Sequence, residues 1–238
     1  MKNSKEESPN SKSIVKALAK ISEAITSDLY LEDILKLIVS VTAEVMGSKI
    51  CSLMLLDKSK KELAVKATQS VSERYNRKPN IKLGEGIAGK VAKDGKPMTV
   101  LDVRKDERYV NREIAIKEKL CSLLSVPLMF KEEVIGVLNC YTAKPRHFTQ
   151  NEIDILKSIA NQAAIVIENF RLVVESKVIK EELEARKVIE KAKGILMKDE
   201  NLTEEEAYSR IRKYSMDKRR SMREVSEAII LSEEMKRK

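Results

Sequence analysis

Along residues 14–47 the apolar side chains Ile14, Leu18, Ile21 and Ile25, then Leu31, Ile34, Leu35, Ile38, Val41 and Val45, recur at steps of three and four. That period predicts two amphipathic helices. The next hundred residues change period. Segments 50–56, 62–68, 97–101, 122–128 and 133–141 are short, rich in Val, Ile, Leu and Thr, and bounded by charged turns, so at least five strands are expected. Between them Gly84-Glu85-Gly86 leads into a short helix over 87–94, which the turn dipeptide Asp94-Gly95 ends. A third long helix starts near Thr149, whose hydroxyl stands three residues before Glu152 in a capping-box arrangement.

In that third helix Leu156, Ala160, Ala163, Ile167, Phe170 and Val174 alternate by four and three. This is the seam of a two-stranded coiled coil rather than a helix lying on a sheet, and it predicts a dimer. At Lys177 the register breaks and a parallel heptad row of Ile165, Leu172 and Ile179 takes over, which makes Lys177 the expected hinge of a connecting helix over 150–184. Beyond Arg186 strand patterns stop. Helices are predicted over 186–197, 207–216 and 222–234, with capping boxes Thr203/Glu206 and Ser221/Glu224. Their apolar rows are Val188, Ala192, Ile195; Ala207, Ile211, Tyr214; and Met222, Val225, Ile229, each one face of a three-helix core. So small a bundle needs support from dimerisation or from the connecting helix. Residues 1–13 are polar and aperiodic and read as a tail.

Composition narrows the class. With 42% hydrophobic and 35% charged residues over 238 positions, the chain has material for one or two folded domains. Apolar runs are far shorter than the roughly 20 residues that cross a bilayer, and no secretory signal opens the chain. Cys51, Cys121 and Cys140 lack zinc spacing and are odd in number, which fits a reducing cytoplasm. A single histidine, His147, excludes chemistry that needs two imidazoles.

Charge carries more information than its net value of +9. Arg210, Arg212, Lys213, Lys218, Arg219, Arg220 and Arg223 are opposed within their own stretch only by Asp217, the footprint of a polyanion or a solvated turn. Lys187, Lys191, Gly194 and Lys198 lie opposite the apolar row of the first C-terminal helix. A mid-helix glycine costs about 1 kcal/mol relative to alanine, so Gly194 serves either the close approach of an RNA backbone or packing against another helix. Tyr208 and Tyr214 offer aromatic faces to unpaired bases; Tyr214 falls in the expected core row, which favours Tyr208.

These residues carry a family resemblance. ARKVIEKAKGILM over 185–197, LTEEEAY over 202–208, then Ile211, Arg212, Ser215, Met216, Arg219 and Arg220 resemble the ANTAR domain, over roughly residues 179–235. The family is named for transcription antitermination regulators. The resemblance implies a three-helix module that binds paired stem-loops in the leader of a nascent transcript, prevents a terminator hairpin and so acts indirectly on the transcribing RNA polymerase. Asn201 stands where the family usually has Gly, and Ser215 where it usually has Ala; Asn is the next best residue for a left-handed helix exit. The expected RNA-binding residues are Lys187, Lys191, Lys193, Gly194, Lys198, Tyr208, Arg212, Lys213, Ser215, Lys218, Arg219, Arg220 and Arg223.

Residues 14–175 resemble a GAF domain through LGEGIAG (83–89), SVPL (125–128), VIGVLN (134–139) and HFT (147–149). This implies a six-stranded antiparallel sheet with flanking helices and a small-molecule sensor role. The expected fold is thus an α+β sensor domain joined by a long coiled-coil-forming helix to an all-α three-helix bundle. The ligand is unspecified: neither a Cys-His pair for a covalent bilin nor the Asn-Lys-x-x-Phe signature of cyclic-nucleotide members is present, and no metal motif occurs. Asp102, Asp106 and Tyr109, in the long loop where such pockets open, are candidate ligand contacts, with Met54, Cys121 and Cys140 as candidate floor residues.

Other readings rank lower. Gly84, Gly86 and Gly89 spell Gly-x-Gly-x-x-Gly, but a dinucleotide site needs a parallel βαβ unit. Asp57 ends a strand as a phosphoacceptor would, yet reads as a turn residue. The three cysteines admit a methionine-sulfoxide-reductase-like enzyme or a thiol sensor, although buried thiols on apolar strands are usually inert. DNA binding lacks a basic recognition helix, since 225–231 holds no basic residue. The expectation is therefore a non-enzymatic, homodimeric antitermination regulator controlled by a GAF sensor.

Overall fold

A computed structural model describes residues 11–23, 30–70 and 72–236. The chain divides into two compact units after Arg171, and no described helix is long and apolar enough to cross a membrane. Most of the expected tail, residues 1–10, lies outside the described residues, and Ser11 already belongs to a helix.

The first unit contains α1 (Ser11–Glu23), α2 (Leu31–Met46), β1 (Ile50–Asp57), β2 (Glu62–Thr68), α3 (Glu73–Asn76), β3 (Ile81–Lys82), α4 (Gly86–Asp94), β4 (Met98–Val100), α5 (Arg112–Lys117), β5 (Leu123–Phe130), β6 (Glu133–Tyr141) and the start of α6 (Gln150–Glu200). The six strands form one antiparallel sheet in the order β3-β2-β1-β6-β5-β4. β3, α3 and α5 escape the sequence pattern because each is shorter than a window in which period can be recognised.

Alternation along the central strands divides the core in two. On one face Cys51, Leu53, Leu124, Val126, Leu138 and Cys140 pack under α1, α2 and α6. On the other, Met54, Val137, Leu123 and Tyr141 face α4 and the loops around α3 and α5. The glycine turn belongs to this second side. Gly89 donates to Glu85 O and its own carbonyl accepts from Gly84 N–H at 2.8 Å; a Cβ there would stand 2.3 Å from Lys82 O. Close backbone approach, with no βαβ unit, accounts for the Gly-x-Gly-x-x-Gly string.

Helix α6 corrects the expected seam. Leu156, Ala160, Ala163 and Ile167 are buried against the sheet together with Ile159, Ala164 and Val166, the broad stripe of a sheet-covering helix. Intramolecular burial takes up the face assigned to a second chain. The helix also continues unbroken through Lys177, its cap formed as predicted: Thr149 N–H donates to Glu152 Oε2 at 2.8 Å, and Thr149 Oγ1 accepts from Glu152 N–H at 3.3 Å.

The second unit comprises the end of α6, α7 (Glu204–Lys218) and α8 (Met222–Lys236). Its buried core is Ala192, Leu196, Ala207, Ile211 and Val225. Leu196 replaces the expected Ile195, a shift of one position on the helix face. Tyr214, also assigned to the core, is 54% exposed. Asn201 takes the left-handed exit at φ 55°, and both internal capping boxes form.

Candidate functional site

In the second unit, ion pairing sorts the thirteen expected RNA-binding residues. Lys187 pairs with Glu184 at 3.0 Å, Lys191 with Glu234 at 3.2 Å, Arg220 with Glu224 at 3.1 Å and Arg223 with Glu227 at 2.8 Å. Arg210, part of the basic run, pairs with Glu200. Lys193 is 6% exposed and held between Glu190 at 2.9 Å and Glu204 at 2.7 Å. Its hydrogen bonds to Glu204 and then Glu190 raise its pKa, so it joins α6 to α7 and does not present its charge outward.

Lys198, Arg212, Lys213, Lys218 and Arg219 are exposed and have no carboxylate partner among the described residues. Four of the five belong to the C-terminal half of α7 and the turn after it. Tyr208, Arg212, Ser215 and Arg219 follow one another by four, three and four, so they share one face of that helix. Tyr208 is 44% exposed at its start, and Arg219 adopts a left-handed φ of 53° that ends it. The Ser215 hydroxyl donates to Arg220 O at 2.5 Å; it closes the turn that carries the arginines. Gly194 is exposed with nothing within 4 Å of the position its Cβ would occupy, which overturns packing against another helix as its reason. Tyr214 lines a groove of about 520 Å³ with Ile195, Ile211 and Ile229; the charged residues around it, Asp199, Glu200, Arg210, Glu233 and Lys236, are of both signs and pair with one another, and Lys218 Nζ lies 5.9 Å from the Tyr214 ring centroid.

In the first unit a small cavity lies on the second face of the sheet. Met54, Lys78, Ile81, Ile87, Leu123, Tyr109 and Tyr141 line it, and its volume is about 10 Å³. Three tyrosines enclose this region: Tyr75 and Tyr109 each meet the edge of Tyr141, with ring centroids 6.2 and 6.3 Å away. Tyr109 Oη donates to Tyr141 Oη at 3.1 Å and Tyr75 Oη to Ser52 Oγ at 3.0 Å. Burial pushes all three phenol pKa values up. Sequence reasoning missed Lys78, Tyr75 and Tyr141; Lys78 sits in Arg77-Lys78-Pro79-Asn80, which reads as a solvated turn.

Of the six expected pocket residues, Met54 and Tyr109 line the cavity. Asp102 and Asp106 turn back on Arg104 and Arg108, at 2.7 and 2.6 Å, and these hydrogen bonds hold both carboxyls below the usual range. Cys121 lies beside Arg104 Nη2 at 3.2 Å and does not reach the cavity. Cys140 is on the opposite face of the sheet, where alternation must put it once Tyr141 faces the cavity. Its Sγ is 3.8 Å from Cys51 Sγ. Burial raises the thiol pKa of Cys51 and Cys121, the reverse of what a nucleophilic thiolate needs. Asp57 accepts from Ser59 and Lys60 backbone N–H as an ordinary turn carboxylate.

Residues 29–168 match the family model of the GAF domain and residues 178–230 that of the ANTAR domain. A methyl sulfide methyltransferase-associated sensor of Methanosarcina acetivorans is 30% identical over 155 residues, 63% of this chain and 16% of that protein. A nitrate regulatory protein of Klebsiella oxytoca is 44% identical over 52 residues, 22% of this chain and 13% of that protein. The chain therefore spans less than a quarter of the length of either relative. The GAF domain of a phosphoenolpyruvate-protein phosphotransferase from Coxiella burnetii superimposes with a TM-score of 0.62 at 26% identity, covering 70% of this chain and 99% of that one.

Proposed function

The chain belongs to the GAF domain family and carries an ANTAR domain behind its GAF domain, and on that premise we propose that it is a signal-responsive transcription antitermination regulator. The ANTAR unit binds paired stem-loops in a nascent leader transcript, and the GAF unit controls that binding. The observation that carries this reading is the group of cations without carboxylate partners, Arg212, Lys213, Lys218 and Arg219, on a helix whose Tyr208 and Tyr214 are both exposed. Cations without carboxylate partners are available to phosphates, and an exposed aromatic gives a loop base a surface to stack on. Loop bases are where RNA sequence is read, because the deep groove of an A-form helix is too narrow for side chains.

Control passes through α6, which contributes to both units. A signal acts only through its different affinity for two states. The states proposed here differ in pairing of α6 with a second copy. Leu172 and Ile179, with Ile165 behind them, form a heptad row that is 41–64% exposed, and every residue from 171 to 184 is exposed. Replacing Leu172 and Ile179 by Asp is expected to shift sedimentation toward the monomer while leaving the fold unchanged.

The test of the central reading is binding of the full chain to a two-stem-loop RNA and to duplex DNA of equal length across a salt series. Arg212→Ala/Lys213→Ala, both exposed helical positions, is expected to weaken RNA binding and to reduce the slope of log affinity against log salt by roughly 1–2. Equal binding to RNA and DNA, unaffected by the double substitution, would overturn it.

A further inference from the structure

Lys78 has no ordinary partner. It is 7% exposed, so that its ammonium keeps only a narrow opening to solvent, it lines the cavity on the second sheet face, and among the described residues no carboxylate pairs with it. What it meets is the face of Tyr75, with Nζ 4.2 Å from the ring centroid. An ammonium has three donors and no acceptor, and drawing one largely out of water without a paired charge is costly. No carboxylate lines the cavity. The titratable groups around it are Tyr75, Tyr109 and Tyr141, all kept neutral by burial, so no counter-charge is supplied among the described residues.

Near the cavity, though not lining it, the same sheet face carries further polar groups. Ser125 Oγ, Asn139 Nδ2 and Asn139 Oδ1 are buried without a hydrogen-bond partner among the described residues. Ser125 pairs with Asn139 across β5 and β6, and Ser52 pairs with Asn139 across β1 and β6. This polar row lies on the face that carries Tyr141 and Leu123, one rung along from the cavity wall. Natural cores leave few such groups unmet.

We propose that the cavity beside Lys78 is a binding site for a small monovalent anion, a halide or a carboxylate of one or two carbons, held by the Lys78 ammonium. The proposal rests on the sensor reading of the GAF unit and supplies the chemical class of its ligand. Size sets the upper limit: about 10 Å³ is room for roughly one water before side chains adjust. Charge sets the valence, because a dianion beside one cation in an apolar enclosure leaves a buried charge uncompensated. Burial lowers the Lys78 pKa to about 7, and a bound anion reverses this by favouring the charged form.

The test uses the full chain in sodium gluconate, replaced at constant ionic strength by chloride, formate, acetate or sulfate. Melting is followed by tyrosine fluorescence, since the chain has no tryptophan. Saturable stabilisation by chloride, formate or acetate, absent with sulfate and weakened about tenfold or more in Lys78→Met, supports the site; which anion saturates at the lowest concentration separates halide from carboxylate. Stabilisation that grows without saturation, is largest for sulfate and is equal in both proteins overturns it. A wild-type measurement stands apart from any folding defect of the variant. The 13Cε resonance of the lysine with the lowest titration midpoint should shift that midpoint upward when the favoured anion is added, and an unmoved midpoint overturns the proposal. RNA binding in the same samples separates the two ideas: retained hairpin binding with no anion effect removes this site alone, whereas a Lys78-dependent anion effect without hairpin binding removes the antitermination reading.

Discussion

The two units differ in how many polar groups they bury: the ANTAR unit buries Lys193 and Ser226, the GAF unit several more. The GAF unit turns Ser52, Ser125, Asn139 and Lys78 inward, beneath an extensive double-sided core. The ANTAR unit buries five apolar residues and keeps all but one of the thirteen expected RNA-binding residues out of its interior. A cavity beside a buried lysine suits a small ligand that must enter, whereas a surface with cations lacking carboxylate partners suits a large polyanion that cannot. Helix α6 shows both behaviours in one element, being buried by the sheet before Arg171 and bare immediately after it.

The largest effect that would sharpen this contrast is expected from the smaller core. Ile211→Ala should cost about 2–5 kcal/mol, enough to melt the ANTAR unit while the GAF unit keeps its transition. Calorimetry should then resolve two transitions; one shared transition moving as a whole would show the units to be a single cooperative body. The next effect comes from the inward-facing lysine. Because its folded pKa of about 7 lies below the reference 10.5, the unfolded chain binds more protons between those values. The penalty is therefore full below about pH 7, and stability should rise with pH from there until tyrosine ionisation begins to oppose it near pH 10. The change is a few kcal/mol, at about 1.4 kcal/mol per pH unit, and Lys78→Met should flatten it in urea titrations.

Thr203→Ala should cost the ANTAR unit about 1 kcal/mol, since its hydroxyl and Glu206 form a reciprocal cap. The smallest effect carries the sharpest functional meaning. Gly194→Ala meets open space and should stabilise α6 by up to about 1 kcal/mol. A fall in RNA affinity in that more stable variant would place the RNA backbone against Gly194, and unchanged affinity would remove that contact.

Much of the fold was legible because its signals are local. The capping boxes at Thr149, Thr203 and Ser221 depend on residues three apart, and the strand over 62–68 depends on alternation within one segment. The basic run was equally plain, but which of its members are available was not. Lys193 and Lys198 look alike in the chain, and only the placement of Glu204 beside one of them separates an internal tie from a free charge. Tyr214, which the apolar row assigned to the core, proves as exposed as Tyr208 only once the helices pack.

The same division holds for the molecule as a whole. Family, the order of the long elements, the capped helix starts and the concentration of positive charge were determined by the sequence alone, because period, capping and composition act over a few residues. What covers each face was decided by tertiary structure. The α6 seam could satisfy a second helix or a sheet, and the sheet took it by offering a broader apolar surface within the same chain. The opposite faces of Tyr141 and Cys140, and the enclosure of Lys78 by three tyrosines distant from one another in sequence, exist only once the strands pair, since burial and electrostatics depend on neighbours that the linear order does not name.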